Sequence, residues 1–88
     1  MDIENLIRNI KTKLLKSSFI QNVKIEDKTY LHLKHSSHSE NKYHLKLIIY
    51  SNYLKNLNKV DGTRRIHKLL KNEIKNYIHS LQILFEQI

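Results

Sequence analysis

The sequence contains no cysteine, proline, alanine or tryptophan, and Gly62 is its single glycine. Without cysteine the chain has no disulfide framework, no thiolate zinc site and no thiol nucleophile. Its 88 residues suffice for one domain, residues 1–88, that can bury one modest hydrophobic core. The predicted fold must therefore rest on side-chain packing alone.

Long hydrophobic runs are missing as well. The longest apolar stretch, Leu47–Tyr50, is far too short to span a bilayer. The acidic start of the chain, Met1–Glu4, lacks the apolar run of a signal peptide. We therefore expect a cytoplasmic protein without a membrane partner.

The chain is strongly basic, with a formal net charge of +8. Such an excess is typical of proteins that bind nucleic acid, because clustered cations release counterions from phosphate. The excess is almost entirely lysine, however, since arginine occurs only at Arg8, Arg64 and Arg65. Abundant lysine, asparagine and isoleucine are typical of an AT-rich genome, so surface solvation is the favoured interpretation and a functional basic patch is the alternative.

Hydrophobic periodicity divides the chain into helices and strands. Apolar residues at helical spacing predict two helices, the second of them capped by Asp61, and alternating runs predict three strands. The predicted elements are, in order, helix Asp2–Ser17, strand Val23–Glu26, a polar loop over His32–Asn41, strand Tyr43–Tyr50, a helical turn at Tyr53–Leu57, helix Asp61–Asn76 and strand Ile78–Phe85. This α-β-β-α-β order predicts an α+β domain with helices packed on one face of a three-stranded sheet.

The second helix is predicted to have one apolar face and one cationic face. The residues expected to be buried are Ile66, Leu69, Leu70, Ile74 and Tyr77. The candidate nucleic-acid-binding residues on or near the opposite face are Arg64, Arg65, Lys68, Lys71 and Lys75.

Histidines are the candidate metal ligands in a chain without cysteine. His79 follows the second helix directly, at the start of the last strand, where a polar ring is better suited to chemistry than to packing. His32, His35 and His38 are spaced His-x-x-His-x-x-His in the loop and could also bind zinc or copper by themselves. His44 is out of phase with the buried side of its strand, so we expect it at the strand surface or near the loop. Neither His44 nor His67 is predicted to be a ligand.

Four segments of the sequence resemble the BolA family in order and spacing. They are Asp27-Lys28-Thr29-Tyr30-Leu31-His32, Tyr43-His44-Leu45-Lys46-Leu47, Arg64 at the start of the second helix, and Ile78-His79-Ser80-Leu81. The resemblance extends from about residue 2 to residue 85. It implies a KH-like fold in the type II topology, which agrees with the order derived from periodicity.

The resemblance also implies a function. In the BolA family the histidine of the Ile-His-small-Leu motif, here His79, ligates iron in complexes with monothiol glutaredoxins, and a loop residue supplies the second ligand. That second ligand would be His32, His35 or His38, and the sequence leaves the choice open. A 2Fe-2S cluster needs four ligands, of which two can be imidazoles. A chain without cysteine could therefore only share such a cluster, with thiolates from the glutaredoxin and glutathione, and would hold none when alone.

The sequence lacks a catalytic constellation, so we predict that the protein is not an enzyme. It has no Gly-rich phosphate cradle and no serine beside an evident base. Asp61 and Glu73 are interpreted as a helix cap and a surface charge. The favoured function is an iron–sulfur or iron-regulation adaptor, a monomer or weak homodimer when free. The alternative is a nucleic-acid-binding transcriptional regulator with DNA as its partner, although Gly62 lacks the second glycine of a KH Gly-x-x-Gly loop.

Overall fold

The computed structural model describes residues 1–32 and 42–88. The described elements are helix α1 Ile3–Leu15, strand β1 Asn22–Asp27, a 3₁₀ turn Thr29–His32, strand β2 Tyr43–Tyr50, helices α2 Asn52–Asn56, α3 Lys59–Leu69 and α4 Lys71–Tyr77, and strand β3 Ile78–Glu86. No helix within the described ranges is both long enough and apolar enough to cross a membrane. The α+β class, the three-stranded sheet and the order of the predicted elements are confirmed.

Helix α1 begins and ends close to its predicted limits. The Asp2 side chain caps it by accepting a 2.8 Å hydrogen bond from the Asn5 N–H. Leu6, Ile10 and Leu14 recur at helical spacing and are fully buried against the sheet side of the core. This amphipathic pattern explains why the sequence predicted α1 to within two residues.

The sheet has β2 at its centre, with β1 antiparallel to it on one side and β3 parallel to it on the other. Alternate side chains of β2 at Leu45, Leu47 and Ile49 are buried. Their register partners on β3 are Leu81, Ile83 and Phe85, so the two strands present one continuous apolar face to the helices. Parallel pairing requires a crossover between β2 and β3, which α2, α3 and α4 provide.

The predicted second helix is two helices, α3 and α4, separated at Leu70. The Leu70 backbone, with φ −105° and ψ 22°, leaves the helical region and ends α3. Leu70 is fully buried, whereas Leu69, the last residue of α3, was predicted to be buried and is 37% exposed. The prediction that Asp61 caps the helix is also wrong, since the cap is Asn58, whose side chain accepts a 2.9 Å hydrogen bond from the Asp61 N–H.

Glu73 is buried, which corrects its interpretation as a surface charge. Its carboxylate faces Lys13 of α1, whose Nζ lies 2.6 Å from one Glu73 oxygen and 2.9 Å from the other. The ion pair joins α1 to α4. Periodicity within α4 carries no signal for it, because the two residues are 60 positions apart.

Two small residues allow close packing where β2 and β3 end. Gly62 is buried in α3, and a Cβ at this position would lie 2.9 Å from Cε2 of Phe85. Ser51 is fully buried between β2 and α2; its hydroxyl accepts a hydrogen bond from the Leu54 N–H and donates one to the Phe19 carbonyl. Gly62 thus lets α3 approach the end of β3, and Ser51 links the start of α2 to Phe19.

Candidate functional site

His79 occupies a β-bulge at the start of β3. Tyr43 pairs with Ile78 and His44 pairs with Ser80, so His79 is the extra residue between two regular pairs. Such a bulge redirects a side chain without changing which residues face the core. The His79 side chain is exposed, while its neighbour Ile78 is buried. The bulge therefore presents the His79 imidazole at the surface, next to the start of β2.

The His79 ring stacks on the ring of His44. The two ring centroids are 4.8 Å apart and the ring planes differ by 22°. His44 is only 5% exposed, and its Nδ1 shares a 2.6 Å hydrogen bond with the Ser80 hydroxyl. A buried and hydrogen-bonded ring thus forms a fixed surface on which the exposed ring of His79 rests.

The backbone around His44 is held from the β1 side. Its N–H donates a 3.1 Å hydrogen bond to the Thr29 hydroxyl, and its carbonyl accepts a 2.7 Å hydrogen bond from the Lys28 N–H. Thr29 is in turn fixed by Asp27, whose carboxylate accepts hydrogen bonds from the Thr29 N–H and hydroxyl. Strand β1 and the 3₁₀ turn therefore clamp the start of β2.

The half-buried pair Glu26 and Lys28 lies at the end of β1 that pairs with the start of β2. Their side chains form a 2.9 Å ion pair. The hydrogen bond and the charge of Lys28 lower the pKa of Glu26, and Glu26 raises the pKa of Lys28 for the same reasons. The ion pair adds a charge contact beside the hydrogen bonds that hold the start of β2.

The structure corrects the expected position of His44. Alternation places it on the sheet face opposite the helices, as predicted, but it is buried there, where it contacts Ser80 and the ring of His79. A usable signal was present in the sequence: parallel β2 and β3 both begin with a histidine after one apolar residue, and parallel strands that start together bring such residues side by side.

Comparison with known proteins decides the family. The family model for BolA-like proteins matches residues 15–86, which is most of the chain. The protein belongs to the BolA-like family. The fold is similar to that of the BolA domain of SufE1 from Arabidopsis thaliana, with a TM-score of 0.75, 26% identity, and 99% of this chain and 94% of that chain covered.

A second solved structure, BolA1 from Arabidopsis thaliana, is similar at a TM-score of 0.71 and 25% identity. The match covers 91% of this chain and 88% of that one. No curated protein sequence matches the chain. The BolA-like assignment made from the four sequence segments is thereby confirmed, and so is the α+β fold that it implied.

The loop histidines of the BolA-like chain fall largely beyond the described residues. His32 ends the 3₁₀ turn that packs on β2, whereas His35 and His38 lie outside the described residues. Within residues 1–32 and 42–88, no three histidine, aspartate or glutamate side chains gather as a metal site. His79 is thus the described ligand candidate, and the second ligand stays a prediction among His32, His35 and His38.

The five candidate nucleic-acid-binding residues are all exposed but are divided between two helices. Arg64, Arg65 and Lys68 lie on α3, and Lys71 and Lys75 lie on α4, beyond the break at Leu70. The Arg65 guanidinium lies over the Tyr53 ring, 5.4 Å from its centroid. His67 is exposed on α3.

Proposed function

We propose that this BolA-like protein is a non-enzymatic adaptor that pairs with a monothiol glutaredoxin and shares a 2Fe-2S cluster with it through His79. The observation that carries the proposal is the bulge, which exposes the His79 ring while the buried His44 ring supports it. An exposed imidazole on a rigid base suits a ligand for a metal group held mainly by another molecule.

The donor chemistry of the chain fits a shared cluster. Two imidazoles can replace two thiolates on one iron of a 2Fe-2S cluster, and the remaining ligands must be thiolates. The chain has no cysteine, so a glutaredoxin and its glutathione would supply them. The bound cluster would provide one-electron chemistry and a form of iron and sulfur that can be passed on. The second imidazole would come from His32, His35 or His38.

His44 and Ser80 act as positioning residues in this proposal. Stacking on His44 limits the orientations of the His79 ring, so less conformational entropy is lost when the ring becomes a ligand. The hydrogen bond between the Ser80 hydroxyl and His44 Nδ1 in turn fixes the supporting ring. Replacing either residue is therefore expected to loosen His79 without removing it.

A titration of cluster-loaded monothiol glutaredoxin with the protein tests the proposal. The wild-type protein is expected to change the visible absorption and circular dichroism of the cluster, because an imidazole alters the ligand field of one iron. His79→Ala is expected to abolish the change. His67→Ala is the matched control, since it removes an exposed histidine from α3. The proposal is contradicted if the wild-type protein leaves the cluster spectrum unchanged, or if both variants lose the spectral change equally.

The same titration identifies the second ligand. His32→Ala, His35→Ala and His38→Ala are compared one at a time, and the variant that reproduces the His79→Ala spectrum marks the partner histidine. Ser80→Ala is expected to give an intermediate result, a spectrum of the wild-type form but weaker binding, because His79 is still present. A wild-type affinity for Ser80→Ala would argue against the positioning role.

The alternative function, regulation through nucleic-acid binding, has less support. Its five cations are exposed but are divided between α3 and α4, which are separated at Leu70. It stays a prediction, and the oligonucleotide described below tests it.

A further inference from the structure

A groove lies along α3, at the end of the sheet opposite His79. It occupies about 880 Å³ between the segment that follows α1 and the exposed side of α3. Phe19, Leu57 and Leu69 provide its apolar surface, and Arg64, Arg65 and Lys68 provide its cations. Phe19 is tied to Ser51, directly after β2, whereas His44 lies at the start of that eight-residue strand. At ~3.3 Å per residue of strand, Ser51 and His44 are about 20 Å apart.

The apolar surface of the groove is accessible. Leu69 is 37% exposed at the end of α3, and Phe19 and Leu57 are half-buried at the edge of the core. The surface formed by these three apolar side chains is large enough to receive one apolar side chain of a partner. Helix periodicity alone predicted that Leu69 is buried, and its exposure corrects that prediction.

The charge at the groove is predominantly positive. Three cations line it against one acid, Asp61, whose carboxylate already accepts a 2.8 Å hydrogen bond from the Asn58 amide. Arg64, Arg65 and Lys68 are all exposed, so their charged groups are accessible to a partner. A partner that covers the groove must therefore bring carboxylates or phosphates.

The aromatic residues at the groove favour carboxylates over a nucleic acid. Single-stranded nucleic acids combine phosphate contacts with bases stacked on free aromatic faces. Here Phe19 packs against Tyr53 with ring centroids 5.2 Å apart, and Arg65 lies over the Tyr53 ring. The ring that could stack a base is thus already engaged by two side chains of the chain itself.

We propose that this groove binds an acidic peptide segment of a partner protein, with one apolar side chain seated against Phe19, Leu57 and Leu69 and flanking carboxylates paired with Arg64, Arg65 and Lys68. Both the apolar and the cationic halves of the groove are required for this recognition. The site is independent of His79, so it holds whether or not the protein shares a cluster.

The test uses three fluorescein-labelled probes and the full-length protein. The first is a twelve-residue peptide of alternating glutamate and leucine, the second a peptide of equal charge built from glutamate and serine, and the third a twelve-nucleotide oligothymidine. The glutamate–leucine peptide is expected to bind at least about tenfold more tightly than either other probe. Amide signals of Phe19, Leu57 and Leu69 are expected to shift in ¹⁵N NMR spectra when it binds.

Charge reversals on the groove and elsewhere complete the test. Arg64→Glu with Lys68→Glu is expected to weaken peptide binding at least about tenfold, and Leu69→Ser to remove the preference for the leucine-containing peptide. Lys24→Glu, an exposed reversal on β1, is the matched control and is expected to retain binding within about twofold. The proposal would be overturned if the two peptides bound equally or if the oligothymidine bound more tightly. It would also be overturned if millimolar peptide shifted only the amide signals of residues outside the groove, or shifted none. The wild-type NMR map decides the matter even if a variant fails to fold.

Discussion

Replacing Gly62 by alanine measures how closely α3 packs on β3. Helix propensity favours alanine over glycine in a helix interior by ~1 kcal/mol, so an open site would gain stability. Here the new Cβ would lie 2.9 Å from Cε2 and 3.1 Å from Cζ of Phe85, both inside van der Waals contact. Phe85 is 9% exposed and packed in the core, so its ring has little space to move. Overpacking of this kind costs about 1–3 kcal/mol.

The net expectation for Gly62→Ala is a loss of about 1 kcal/mol in the free energy of unfolding, because the packing cost exceeds the propensity gain. For a domain of this size the melting temperature would fall by roughly 4–8 °C. Urea denaturation followed by far-ultraviolet circular dichroism gives the free energy, provided that the m-value is unchanged.

A double-mutant cycle with Phe85→Leu separates packing from propensity. In the leucine background the ring is gone, so Gly62→Ala is expected to be neutral or stabilising, with a coupling of about 1–2 kcal/mol between the two positions. A stability gain for Gly62→Ala in the wild-type background, or a coupling near zero, would refute the close approach of α3 to Phe85.

Three further changes test contacts that hold the fold. Ser51→Ala is expected to lower the free energy of unfolding by about 1–3 kcal/mol, because the serine caps α2 and satisfies a backbone carbonyl. Glu73→Gln is expected to lower it by about 1 kcal/mol by removing the charge that faces Lys13. Lys28→Gln is expected to raise the pKa of Glu26 towards its ordinary value, as read by carboxyl NMR titration. Since the pKa of folded Glu26 is lowered, its small stabilising effect is present above the unfolded pKa and lost as the pH falls through the folded pKa.

Matched controls keep these three predictions specific. Ser18→Ala and Glu4→Gln alter exposed residues and are expected to change the free energy of unfolding by less than about 0.5 kcal/mol. Lys11→Gln removes an exposed lysine from α1 and is expected to leave the Glu26 titration unchanged. If a control matched its test variant, the named contact would not be the cause of the effect.

Elements with a strong local signal were predictable from the sequence. Strand β2 was predicted to the residue, because its opening alternation is typical of a strand and its apolar run is short. The division of the second helix was not predictable, since no proline or glycine marks Leu70. Asn58 and Asp61 are both good caps three positions apart, and local preference does not choose between them.

The candidate site was predictable only in part. The motif around His79 identified the exposed histidine, and comparison with known proteins confirmed the family. His44 was placed on the correct face but with the wrong exposure, because alternation says which side a residue faces and not what covers it. The His79 ring that stacks on it comes from a bulge, which changes the pairing between two strands that are distant in the sequence. The loop histidines remain predictions.

The bulge makes His79 a residue that the pairing of β2 with β3 does not need. Deleting it would leave Ile78 opposite Tyr43 and Ser80 opposite His44, so the regular ladder would close and every core residue of β3 would keep its face. Deleting any residue farther along β3 would instead turn the following side chains over and expose the core. A single-residue deletion could therefore separate binding from folding in this domain, and relatives that lost the ligand by such a deletion would be expected to keep the fold.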